Sequence, residues 1–138
     1  MEKITFDNGV REFCINGRGV LRFNPADPNV YQRLSQAEEK IRRIGQDLAQ
    51  NENVGSQGLW QADQQLKEIL NWVFGPGNDF NQIAGNVNLL AVAGNGRLVI
   101  DNFLAALKPV LTKGVEDSVR LQVTQARQKA NARRAAQR

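Results

Sequence analysis

The sequence predicts an α+β protein, mostly α, with a short N-terminal three-stranded antiparallel β-meander over residues 3–24 followed by about five helices. Three observations carry this. Two Asn-Gly pairs, Asn8-Gly9 and Asn16-Gly17, sit among alternating apolar residues in the first two dozen positions. An Asp27-Pro28 start signal follows. Beyond it, apolar residues recur at steps of three and four.

Ile4 and Phe6 alternate with Lys3 and Thr5, and Asn8-Gly9 offers the positive φ angles of a tight turn. Val10, Phe13 and Ile15 carry the second expected strand, and Asn16-Gly17 repeats the turn signal. Val20, Leu21 and Phe23 form the third, ended by Pro25. Cys14 falls on the face opposite Phe13 and Ile15, as a half-buried strand cysteine. So small a ribbon needs a helix against its apolar face.

Asp27 is placed to cap the first helix, with Pro28 at the first helical position, where its missing N–H costs nothing. Val30, Leu34, Ala37, Ile41, Ile44 and Leu48 then form one apolar seam, and Glu38–Arg42 and Glu39–Arg43 are favourable pairs one turn apart. Gly45 is a candidate for close packing. The loop composition of "ENVGSQG" separates a second helix carrying Leu59, Ala62, Leu66, Leu70, Val73 and Phe74, antiparallel to the first. Core packing, more than ligand stacking, is expected of Trp60 and Trp72.

"GPGN" breaks the chain. Asp79 caps a third expected helix with Phe80, Ile83, Val87, Leu90 and Ala91, ended by Gly94-Asn95-Gly96. A fourth apolar run, Leu98 to Leu111, is interrupted by Pro109, which predicts a kink or an early end. Gly114 marks a boundary. It divides the chain into one globular domain at 1–113, with helices over 28–112, and a basic helix or tail at 114–138.

Charge follows the same division. Of 18 Lys and Arg, six lie in residues 114–138, against two of 14 acidic residues, so the formal +4 belongs wholly to that stretch. Its apolar side is thin: Val115, Val119, Val123, Ala126 and Ala130. Arg127, Lys129, Arg133 and Arg134 accompany it. Three readings are open for this tail: a solvated helix end, a partner-binding helix completed by another chain, or a set of cations for nucleic-acid phosphates. No aromatic interleaves the cations, which disfavours stacking on single strands.

Catalysis finds little support. Histidine is absent, which removes the commonest general base and metal ligand. "NGRG" and "GNGR" are neither a Walker loop nor a GxGxxG, and turn chemistry accounts for both. Asp79 and Asp101 read as a helix cap and a solvated face. No catalytic, cofactor-binding or metal-ligating residue is assigned, and no cofactor is expected. A single cysteine fits a reducing cytoplasm, and no apolar run approaches the ~18–20 residues that span a membrane.

"ITFDNGVREFCINGRGVLRFNPADPNVYQRL" resembles the opening of small proteins encoded in the tail-gene region of tailed bacteriophages. "LNWVFGPGNDFNQIAGNVNLLAVAGNGRLVIDNFLAAL" resembles their second shared block. The likeness covers most of residues 3–112 and is to the tail assembly chaperones of phages with long non-contractile tails. It implies a helical protein with a short β element and no enzymatic activity. It further implies binding of the tape measure protein, recruitment of tail-tube protein, a place in the host cell cytoplasm and absence from the finished virion. Homo-oligomerisation is compatible with it; membrane association is not expected and nucleic-acid binding is disfavoured. The alternatives are a structural tail component, or a small nucleic-acid-binding accessory protein using the basic tail.

Overall fold

The computed structural model describes residues 1–137. Strands β1 (Arg11–Ile15) and β2 (Gly19–Phe23) form an antiparallel hairpin that pairs Phe13 with Leu21 and Ile15 with Gly19. Asn16 and Gly17 both take positive φ, 52° and 73°, as a tight hairpin turn demands.

The sheet has two strands, not the expected three. At the other Asn-Gly pair only Gly9 has positive φ, 77°. Asp7 Oδ1 accepts the Gly9 N–H, Asn8 Oδ1 accepts the Val10 N–H, and the Asn24 amide donates to the Asn8 carbonyl. Side-chain turns thus take up the backbone groups that would have closed a hairpin, and the bend is fastened to the end of β2. The chain before it does not double back onto β1. Ile4 and Phe6 are left 88% and 75% exposed.

Helix α1 (Pro28–Gln50) starts as expected, with the Asp27 carboxylate accepting the Asn29 N–H at 2.9 Å and Pro28 in the first turn. Val30, Leu34 and Ala37 are buried, while Ile41, Ile44 and Leu48 are half-buried. Gly45 has open space around it, so it is not a packing contact. Glu39 meets both Arg42 and Arg43, at 2.5 and 3.4 Å, and these guanidinium groups hold its carboxyl below the usual range; the expected Glu38–Arg42 pair does not form. Helix α2 (Ser56–Phe74) returns antiparallel along α1, and Arg33 Nε donates to the Val73 carbonyl at 2.8 Å.

Among the described residues four helices form in place of about five. Helix α3 (Phe80–Ile83) is a single turn, capped by Asp79 through the Asn81 N–H at 3.0 Å. The expected continuation to residue 93 fails because Gly85 and Asn86 take φ of 64° and 65°, incompatible with a right-handed helix. The chain then runs through turns to a one-pair bridge between Val92 and Leu98.

Helix α4 (Val99–Ala136) runs unbroken for 38 residues, about 57 Å at 1.5 Å per residue. Neither Pro109 nor Gly114 ends the helix. Pro109 is exposed, and the carbonyl it deprives of a partner belongs to Ala105, also exposed, so water can satisfy it. Gly114 is buried, and a Cβ there would strike the Pro25 carbonyl. Tyr31 Oη donates to that same carbonyl, and burial, with Asp27 and Asp117 nearby, raises the phenol's pKa. Gly114 is therefore the point where α4 crosses the start of α1, not a helix end.

The core joins these elements through a chain of phenylalanines. Phe13 meets Phe23 at 5.2 Å between ring centroids, Phe23 meets Phe74 at 4.9 Å, Phe74 meets Phe80 at 5.7 Å, and Phe80 meets Phe103 at 5.6 Å. Hairpin, α2, α3 and α4 each contribute to it.

Candidate partner-binding surface

The packed part of α4 ends near Ser118. Up to that point one side of the helix, Ile100, Phe103, Leu107, Val110 and Gly114, faces the body. From Val119 through Gln137 every residue is exposed. About 27 Å of helix therefore projects into solvent, at 1.5 Å per residue.

All seven residues expected to bind a partner, Val115, Val119, Val123, Arg127, Lys129, Arg133 and Arg134, lie exposed on this one helix. At 100° per residue, Val115, Val119 and Val123 fall with Ala126 and Ala130 inside a strip about 80° wide. Lys129 flanks one side of it and Arg127 and Arg134 the other. Among the described residues, none of these cations takes part in an ion pair. Leu121 was not anticipated. It lies on a different line, one that continues Leu107, Gly114 and Ser118 past the end of the body, and it is 59% exposed. The signal was its seven-residue step from Gly114, hidden by the reading of Gly114 as a boundary.

The other candidates resolve into structure. "NGRG" is the hairpin turn. "GNGR" is a turn closed by the Ala93 N–H on the Arg97 carbonyl at 2.7 Å, with Asn95 and Asn102 exchanging side-chain hydrogen bonds. Trp60 and Trp72 do not pack in the core: they are 60% and 46% exposed, and Lys40 lies over the Trp72 ring. Cys14 is exposed, not half-buried. Asp101 is an exposed residue of the first turn of α4. Among the described residues no group of three or more His, Cys, Asp or Glu is placed to hold a metal ion. Nor, among these residues, is any helix long and apolar enough to cross a membrane.

Comparison with known proteins adds no identification. No family model, curated protein or solved structure matches the chain.

Two polar features escaped the sequence reading. Asp63 and Lys67, one turn apart on α2, form a buried ion pair at 2.7 Å. The second Asp63 oxygen accepts the Leu89 N–H at 2.7 Å, which ties α2 to the turns before α4. Asn78 lies against β2: its Oδ1 accepts the Arg22 N–H and its Nδ2 donates to the Arg22 carbonyl, both at 2.8 Å. One side chain thereby occupies the outer edge of β2 as a neighbouring strand would. Among the described residues no side chain covers the outer edge of β1 in this way. Beside it lies an apolar groove of about 650 Å³, floored by Leu21 and Phe80 and walled by Phe13, Ile15, Phe103 and Val110.

Proposed function

We propose that this chain is a non-enzymatic tail assembly chaperone of a long-tailed bacteriophage, acting in the host cytoplasm. It binds the tape measure protein through the projecting half of α4 and assists assembly of the tail tube. The sequence resemblance supplies the class of function. The observation that carries the mechanism is the exposed half of α4, apolar on a narrow strip and cationic on both flanks. Valines and alanines allow close helix–helix approach, and a strip this poor in large side chains buries little area. At ~25 cal/mol per Å² of apolar surface, such a contact contributes only a few kcal/mol, so it remains reversible. The cations add attraction to an acidic helical partner, chiefly through a faster encounter.

The test is co-expression with the tape measure protein followed by capture. The full chain is expected to retain the partner, and Arg133→Glu/Arg134→Glu to retain several-fold less. Loss of capture should also follow rising salt, because screening shortens to about 8 Å at physiological ionic strength and less above it. Equal capture by both forms removes the cations from the mechanism. Absence of capture by either form counts against the chaperone reading. The same cations favour nucleic acid as the competing partner, and salt-dependent binding of DNA or RNA without capture of protein would select that reading.

A further inference from the structure

We propose that the segment at residues 2–8 of one copy of this chain adds as a strand to the free edge of β1 in a second copy, seating Ile4 and Phe6 in the apolar groove beside it. The proposal goes beyond the chaperone reading and does not depend on it.

The edge itself comes first. Asn78 bonds both the N–H and the carbonyl of Arg22, so those groups point away from β1. Arg22 is paired with Glu12, and Cys14 with Val20 two residues along. In an antiparallel ladder, the facing members of such a pair turn their backbone groups outward together. The N–H and C=O of Glu12 and Cys14 therefore face the open side of β1. On the other edge the protein covers the Arg22 groups with a dedicated side chain, Asn78. On this edge it has left a strand template next to an apolar groove, the arrangement that strand addition uses.

The occupant is indicated by the same molecule. Residues 3–6 alternate Lys, Ile, Thr, Phe, the pattern of a strand with one apolar face, yet belong to no sheet. Added beside β1, the segment places Ile4 and Phe6 on the face of Phe13 and Ile15, over the groove, and Thr5 on the outer face with Cys14. Seven residues span about 23 Å, enough to match a five-residue strand. The segment does not reach the edge of its own β1. The Asp7 and Asn8 side-chain turns and the Asn24 contact fix the bend so that the chain leads away. An apolar segment outside the sheet and an open edge with an apolar groove, which do not meet within one chain, meet between two copies.

Cys14 provides the reporter. Lys3→Cys, Thr5→Cys and Asp7→Cys are each made in a Cys14→Ser background and mixed with the unaltered chain under mild oxidation. The expected result is a disulfide-linked dimer of the two chains in at least one mixture, strongest for one register and absent when Phe6→Asp is added. By light scattering, the unaltered chain is expected to exceed the 15.4 kDa of one copy as concentration rises, and Phe6→Asp to remain at that mass with an unchanged melting curve. Because Phe6 is exposed, its replacement leaves the body folded. A monomer at all concentrations overturns the proposal. So does absence of the mixed dimer in all three mixtures.

Discussion

At the scale of single residues, two glycines with the same helical setting have opposite roles. Gly45 stands in open space on α1, and Gly45→Ala should raise stability by about 1 kcal/mol through helix propensity. Gly114 meets the Pro25 carbonyl, and Gly114→Ala should lower stability by about 1–3 kcal/mol despite the same propensity gain. Urea unfolding of both variants checks the pair of signs. Asp63 offers a second test. Asp63→Ala leaves the Lys67 ammonium buried without its partner and the Leu89 N–H without its acceptor, and should cost about 3–5 kcal/mol. Asp63→Ala/Lys67→Met should recover much of that loss, since removing both charges removes the unpaired one. None of this was legible in the sequence. A glycine inside a long helix looks the same whether it faces solvent or a carbonyl, and an Asp–Lys step of four looks the same on a surface as in a core. What decides is which element lies opposite.

Among the elements, local chemistry was readable where one residue type settles the geometry. Asp27-Pro28 opened α1, Asp79 capped α3 and Asn16-Gly17 turned the hairpin, because caps and left-handed turns are short-range devices. Asn8-Gly9 misled because Asp7 and Asn8 made their own turns first. The helix expected past Ile83 lost to the left-handed pair Gly85-Asn86 and to the Asp63 carboxylate waiting for the Leu89 N–H. Pro109 does not end α4, because its cost depends on exposure, which the sequence does not state. The uninterrupted α4 has a direct consequence. Among the described residues, truncation after Ser118 removes only exposed ones, so the unfolding free energy should change by less than about 0.5 kcal/mol. Truncation after Lys113 also removes the Gly114 crossing and should cost measurably more. Denaturant melts of the two truncations separate these outcomes.

For the molecule as a whole, packing and charge divide the chain in the same region. The body, through about Ser118, holds the aromatic core and 12 Lys and Arg against 14 acidic residues, whereas the stretch beyond it carries six cations, no acidic residue and the exposed Val119 and Val123. The exposure of the second half of α4 was legible from composition, because a helix end poor in large apolar residues has too little to bury. The edge of β1 was not, because it became available only when the expected third strand failed to form. The central claim is that the projecting half of α4 is where a helical partner docks. Amide hydrogen exchange of the full chain, with and without the tape measure protein, tests it most directly. Free, the amides beyond residue 119 should exchange quickly, as those of a solvent-exposed helix do. Bound, residues 119–136 should gain protection while the aromatic core keeps its free-state rates. Protection confined to the hairpin or the body, with α4 exchanging as fast as before, would contradict the account.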